Sequence, residues 1–203
     1  MTLTGSRNES SFFYFAYGSC MCPVDLQRTF GEEAHHFVIG KAILRNYRLV
    51  FYRHSLRRDC GALDVVPDSC SCVEGVLYRL PWRFSDRLDE REELPNNGYR
   101  HEFIEVYQGK KRYPNVRTYV VVDKLSEELA PNDWYFNVVL RGALTAGLSE
   151  KYCWKLFRHM YHLQCQQGRR QDKGYDGFRS PNSQQHLWDW VDKLTDHHGI
   201  LEQ

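Results

Sequence analysis

Apolar residues in the first two thirds of the chain fall in short runs separated by turn residues; in the last third they recur at helical spacing. Residues 12–17 (FFYFAY) form an aromatic run that ends at Gly18-Ser19, the pattern of a buried strand entering a tight loop. Pro23 stands where a first helical turn begins, and Val24 to Phe30 read as a short helix closed by Gly31. Two strands are predicted next, at 38–44 and 47–53. A third spans 61–66, closed by Pro67-Asp68, and a fourth spans 73–80, with Gly75 marking a bulge or a close approach. Ser85 to Glu93 is dense in charge and helical in spacing, and Pro95-Asn96-Asn97-Gly98 ends it. Strands at 99–107 and 116–122 follow, with 109–113 as the turn between them.

From Asn132 the period changes. One helix carries Trp134, Val138, Val139 and Leu140, Gly147 breaks it, and Ser149 caps a second that runs to about Gln166. Strands first and helices last describe an α+β domain, a curved or barrel-like sheet with helices packed outside. We place this domain at 12–166, after a disordered N-terminus at 1–11. A polar tail follows at 167–203, with a short amphipathic helix carrying Leu187, Trp188, Trp190, Val191 and Leu194. That tail docks either onto its own domain or onto a second chain, so a homodimer is one of two expectations.

Charge narrows the class of protein. A formal net charge of +1, with Lys and Arg spread along the chain, gives no footprint for nucleic acid or an anionic membrane. No apolar run approaches the roughly 20 residues that span a bilayer. The polar start lacks the basic and apolar blocks of a secretory leader, so a cytoplasmic enzyme is expected. The seven cysteines (20, 22, 60, 70, 72, 153 and 165) are odd in number, which argues against a disulfide framework. Their Cys-x-Cys pairs are too closely spaced for a usual structural zinc site, and His159 with His162 lacks a third ligand nearby. No metal or cofactor is expected.

Two segments could carry chemistry. In the junction Tyr14-Phe15-Ala16-Tyr17-Gly18-Ser19-Cys20, a Gly and a Ser after a buried strand let backbone N–H groups converge on a carboxylate or an oxyanion, although an ordinary tight turn has the same pattern. The second segment is the acidic helix. Phe84, Leu88 and Glu92 follow at i, i+4 and i+8, so Glu92 borders the apolar stripe, while Asp86, Asp89, Glu90 and Glu93 point away. A carboxylate beside a buried face is desolvated, which raises its pKa toward the range useful for proton transfer. A surface pair at a helix end would account for the same spacing.

The ordered set of segments resembles the gamma-glutamylcyclotransferases. Tyr14 to Met21 is similar to the family's substrate loop, an aromatic strand followed by Tyr-Gly-Ser-Asn and an apolar residue. Gly61-Ala62-Leu63 resembles its Gly-x-Ala segment, and Val73 to Tyr78 its Val-x-Gly-x-x-Tyr/Trp strand. Leu88-Asp89-Glu90-Arg91-Glu92 with Tyr99 resembles its Leu-Asp-x-x-Glu … Tyr element. Arg117-Thr118-Tyr119 and the Tyr135 … Gly142-Ala143 … Gly147-Leu148 … Tyr152 pattern complete the likeness, which spans residues 12–158. It departs at Cys20, where the motif has Asn, and at Glu93, where Gly commonly follows the catalytic Glu.

The resemblance implies a small mixed β-barrel with flanking α-helices and a cofactor-free release of 5-oxoproline from a small gamma-glutamyl substrate. It makes Glu92 the general acid/base and assigns substrate contacts to Tyr14, Phe15, Ala16, Tyr17, Gly18, Ser19, Cys20, Tyr99 and Tyr119. Other readings stay open: a gamma-glutamyl amine or isopeptide-linked lysine as substrate, a non-enzymatic binding module, or a metal-dependent amidase.

Overall fold

The structure, a computed structural model, describes residues 9–171. Five strands close into a barrel: β1 (Ser11–Ala16), β2 (Val38–Ser55), β3 (Cys60–Pro81), β4 (Tyr99–Gln108) and β5 (Lys111–Val121), in the order β1-β3-β2-β4-β5. Neighbours run antiparallel except at the closing seam, where β1 meets β5 in parallel at Tyr14 and Arg117. The Thr118 hydroxyl donates to the Phe15 carbonyl (2.9 Å) across that seam. The mixed barrel expected from the sequence is the observed fold.

Three sequence readings need correction. The strands expected at 38–44 and 47–53 are one strand, because Asn46 takes a left-handed conformation (φ 62°) and absorbs the break as a bulge. The strands expected at 61–66 and 73–80 are likewise one. Pro67, paired with Tyr47, stands at the edge of a register shift with β2, and Asp68 accepts from the Cys70 N–H (3.0 Å) and the Ser71 hydroxyl (2.9 Å). The β4–β5 turn is only 109–110, and Pro114-Asn115 bulges opposite Glu105 inside β5.

Residues 9–11, counted with the disordered N-terminus on sequence, belong to the fold: Glu9 pairs with Arg83, the Ser10 carbonyl accepts from Trp82 N–H (3.1 Å), and Ser11 opens β1. The tail readings at 172–203, including the Trp188/Trp190 helix, lie outside the described residues.

Among the described residues four α-helices flank the barrel. α1 (Pro23–Phe30) begins with proline and ends at Gly31 in the left-handed region (φ 70°). It packs on α2 (Ser85–Arg91) through the Phe30 and Phe84 rings, stacked at 4.3 Å. α3 (Asp133–Thr145) is capped by Asn132, whose side chain accepts from Tyr135 N–H (2.9 Å). α4 (Glu150–Gln171) starts after Ser149, whose hydroxyl accepts from Tyr152 N–H (3.2 Å). The chain separates into a compact unit up to Gln167 and a second from Gly168 onward, of which only the last turn of α4 is described.

Two glycines let the layers close. A Cβ on Gly75 would lie 2.3 Å from the Ala16 carbonyl, so the glycine expected to mark a close approach is where β1 crosses β3. A Cβ on Gly142 would lie 2.9 Å from Cys22 N, so α3 rests directly on the loop that follows β1.

Candidate active site

After β1 the chain makes one tight turn over Ser19–Met21, with Met21 N–H donating to the Gly18 carbonyl (2.9 Å). The opening amides of such a turn have no carbonyl within it to bond. Tyr78 holds the turn from beneath, its hydroxyl donating to the Cys20 carbonyl (2.9 Å). The Tyr17 hydroxyl donates to the Tyr119 carbonyl (2.5 Å) and fixes the loop to β5.

α2 delivers Glu92 to the same place. Phe84 and Leu88 are buried beneath it, and Arg117 on β5 anchors its first turn through Ser85 Oγ (2.7 Å). Glu92 is the residue that ends the helix, its N–H still bonded to the Leu88 carbonyl (3.0 Å). The stripe read from the sequence therefore holds, and the half-buried carboxylate faces the loop rather than water. The Cys20 thiol donates to Glu92 Oε1 (3.4 Å), and Arg91 Nε donates to the same sulfur (3.1 Å). Arg91 is itself buried against Asp25 of α1 and donates to Ser19 Oγ (3.2 Å) and Thr29 Oγ1 (2.6 Å).

A narrow cleft open to solvent joins these groups. Tyr14, Tyr17, Gly18, Ser19, Cys20, Glu92, Tyr99 and Tyr119 all line it. Phe15 and Ala16, expected to contact substrate, do not. Both are fully buried, and Phe15 packs its ring against Gly75, because that stretch of β1 serves the barrel interior and its crossing with β3.

Burial pushes the Glu92 carboxyl above the usual carboxylate range, while Arg91 and the Cys20 thiol pull it partway back. Burial also drives the Cys20 thiol up to about 12 against the pull of Arg91, so it is a neutral S–H donor. The hydroxyls of Tyr14, Tyr17, Tyr99 and Tyr119 are raised as well, by burial first, and stay protonated.

Tyr135, which entered on sequence only as part of the family pattern, also lines the cleft. Tyr135 of α3 and Tyr99 of β4 hold the two backbone polar groups of one residue: the Tyr135 hydroxyl accepts from Leu63 N–H (3.2 Å), and the Tyr99 hydroxyl donates to the Leu63 carbonyl (3.0 Å). Asp89, expected to point away, is half-buried instead. It accepts from the Tyr119 hydroxyl and contacts His101 Nε2 at 2.7 Å, so its surroundings come from β4 and β5 rather than from α2. Glu93 has φ 53°, a left-handed conformation suited to glycine, and it pairs with Arg53 of β2 at the cleft. The glycine of the family pattern thus has a backbone reason here, and the glutamate adds an ion pair. Arg53, Ser55 and Arg58 reach the cleft from the end of the β2–β3 hairpin, a placement that needs the hairpin register to be known.

Among the described residues no group of three or more His, Cys, Asp or Glu side chains is disposed to hold a metal ion, and no helix is long and apolar enough to cross a membrane.

A family model described as the AIG2-like family matches residues 72–156. Over 158 residues the chain is 33% identical to YkqA of Bacillus subtilis (strain 168), named "Putative gamma-glutamylcyclotransferase YkqA". The match covers 78% of this chain and 55% of YkqA, so the chain spans about half the length of that relative. The crystal structure of YkqA superposes with a TM-score of 0.69 over 77% of this chain and 56% of its own, at 33% identity. A structure named "Gamma-glutamyl cyclotransferase" gives 0.65 at 21% identity, over 91% of this chain and 99% of its own. An uncharacterized protein from Homo sapiens gives 0.66 at 22%, over 92% and 99%. At these lower identities the last two likenesses are of fold.

Proposed function

Because the chain belongs to the gamma-glutamylcyclotransferase-like family, we propose that it cleaves a gamma-glutamyl amide by cyclisation, with Glu92 as general acid and base. The products would be 5-oxoproline and a free amine. The observation that carries the reading is the meeting of two elements in one cleft: a carboxylate whose proton affinity is raised by burial, and the Tyr17–Cys20 turn after β1.

The substrate brings its own nucleophile. Its α-amine lies a few bonds from the gamma-carbonyl, and folding it back makes the attack intramolecular, with effective molarities on the order of 10⁵ M or more available to well-aligned ring closures. Glu92 takes a proton from the α-ammonium, and the freed amine attacks the gamma-carbonyl carbon. The new C–N bond closes a five-membered ring and leaves a tetrahedral oxyanion for the amides around Tyr17, Gly18 and Ser19 to stabilise. Collapse breaks the original amide bond, and the proton on Glu92 passes to the departing nitrogen. A second proton follows the same path from the ring nitrogen to the released amine. Tyr119 has already given its hydrogen to Asp89, so its oxygen can only accept, which suits it to the α-ammonium. Seven free thiols suit a reducing, cytoplasmic compartment.

Acetylating the α-amine of the substrate tests the reading. A gamma-glutamyl dipeptide should yield 5-oxoproline, and its N-acetyl derivative should be untouched. Cleavage of both, with release of free or acetylated glutamate, would mean water is the nucleophile and the proposal is wrong.

A further inference from the structure

A second groove shares no lining residue with the catalytic cleft. One of its walls is a face of α4, where Tyr152, Lys155, Leu156, His159 and His162 recur at i, i+3, i+4, i+7 and i+10, with Arg158 beside them. The other wall is the sheet, with Arg48 and Leu49 from β2 and Ser71 and Cys72 from β3, and Glu128 joins from the segment after β5. Its volume, ≈ 610 Å³, is in the range that holds a small molecule.

Charge sets this groove apart. Arg48, Lys155 and Arg158 are basic, and Glu128 is the one acid among the lining residues. Glu128 is already engaged: it accepts from Phe51 N–H (2.9 Å), and its two oxygens contact His159 Nε2 at 2.9 and 3.0 Å. At the rim, Asp68 interacts with both Arg48 and Lys155, and Arg48 interacts with Glu128 as well. The basic groups of β2 and α4 therefore surround one space. Three cations meet two acids there, a surplus of positive charge even with His159 and His162 neutral. The Arg48 guanidinium lies 5.8 Å from the centre of the Tyr52 ring and donates to the Tyr52 hydroxyl (3.4 Å), contacts that orient it without neutralising it.

Between the charges lie Leu49, Leu156 and Tyr152, the last two buried. The Glu74 N–H approaches the oxygen of the Tyr152 hydroxyl, whose own hydrogen has no acceptor among the described residues. A buried donor left in that state is costly, and a ligand oxygen would satisfy it.

We propose that this groove binds a small organic phosphate, a phosphate monoester on an apolar or aromatic body. A monocarboxylate presents two oxygens, which one guanidinium fork satisfies, and leaves the cations of the facing wall without a share. A phosphate monoester carries about 1.5 to 2 negative charges at neutral pH and three acceptor oxygens, enough for Arg48 on one wall and Lys155 and Arg158 on the other. The apolar strip takes the organic body. The site is independent of the chemistry proposed for the catalytic cleft.

Phenyl phosphate titrated calorimetrically into the full chain at low salt tests the proposal. It should bind at one site with Kd on the order of 0.1–1 mM. Inorganic phosphate, which lacks the ring, and phenylacetate, which lacks the second charge, should each bind about tenfold more weakly. Lys155 and Arg158 are exposed, so their joint change to Gln leaves the fold intact and should weaken binding at least about tenfold. Arg48→Gln should weaken it about fivefold and Tyr152→Phe about threefold. Lys110→Gln, an equal loss of charge in the β4–β5 turn, should leave it within about twofold. No saturable binding by about 10 mM, or binding that survives the Lys155 and Arg158 pair, overturns the proposal. Phenylacetate binding as tightly, or a hexaglutamate peptide binding more tightly than phenyl phosphate, overturns it as well.

Discussion

Cys20 stands between Arg91 and Glu92, receiving a hydrogen bond from the guanidinium (3.1 Å) and donating one to the carboxylate Oε1 (3.4 Å). A neutral thiol in that position orients the carboxylate and lowers its proton affinity. Where the resemblance would have Asn, this chain has a weaker but still competent donor.

Cys20→Ala should therefore slow the reaction without abolishing it, by about 3- to 10-fold in kcat/KM, the loss of roughly one weak hydrogen bond. With one donor gone, the Glu92 pKa rises further, and the acid limb of the pH profile should move to higher pH. A profile that stays in place removes the thiol's role toward Glu92, and a complete loss of activity would make Cys20 a nucleophile.

Thiol alkylation under native conditions should spare Cys20. It is 3% exposed and its pKa is pushed up to about 12, whereas Cys70 and Cys72 are exposed. Mass spectrometry after iodoacetamide treatment at pH 8 should find the label on Cys70 and Cys72 first.

Glu92→Gln should stabilise the fold at neutral pH. The carboxyl's folded-state pKa is raised by burial, so its favourable contribution is present in full below the unfolded pKa, near 4.3, and is lost as pH rises through the folded value. The amide removes that penalty. Thermal denaturation should show a higher Tm for the variant at pH 7–8, by about 2–4 °C for each kcal/mol recovered, and a smaller gap at pH 4. A lower Tm at both pH values would mean the carboxylate supports the fold.

Gly75→Ala should cost about 1–3 kcal/mol, read as a lower midpoint in urea, since the added carbon would meet the Ala16 carbonyl at 2.3 Å and the Phe15 ring at 2.7 Å. The segments that meet there are backbone and a fully buried ring, which leaves little room for relief.

Much of this arrangement was legible in the sequence because it depends on local rules. The period of Phe84, Leu88 and Glu92 put one carboxylate against the core, and the Gly18-Ser19 junction marked the turn. The cap at Ser149 and the breaks at Gly31 and Gly147 were equally local. The long strands were misread because Asn46 and Pro67-Asp68 look like punctuation, while a barrel tolerates them as register shifts. Phe15 and Ala16 were assigned to the cleft with their neighbours, yet Phe15 faces away from Tyr14 by strand alternation and Ala16 is buried at the close approach to Gly75. Arg58 and Ser55 carry no local signal, and Tyr135 entered only as part of the family pattern. They reach the cleft only through the β2–β3 hairpin and the packing of α3 on the loop, which are long-range consequences of closure.

The most direct test of the account is 5-oxoproline release from a gamma-glutamyl dipeptide by the wild type, Glu92→Gln and Glu93→Gln side by side. The glutamine at 92 keeps the shape and removes the proton acceptor, so release should fall by about 10²- to 10⁴-fold. Glu93→Gln, which weakens the pairing with Arg53 and removes a neighbouring negative charge from Glu92, should stay within about tenfold of the wild type. Release unchanged in Glu92→Gln, with the loss appearing in Glu93→Gln instead, would contradict the assignment of the proton carrier.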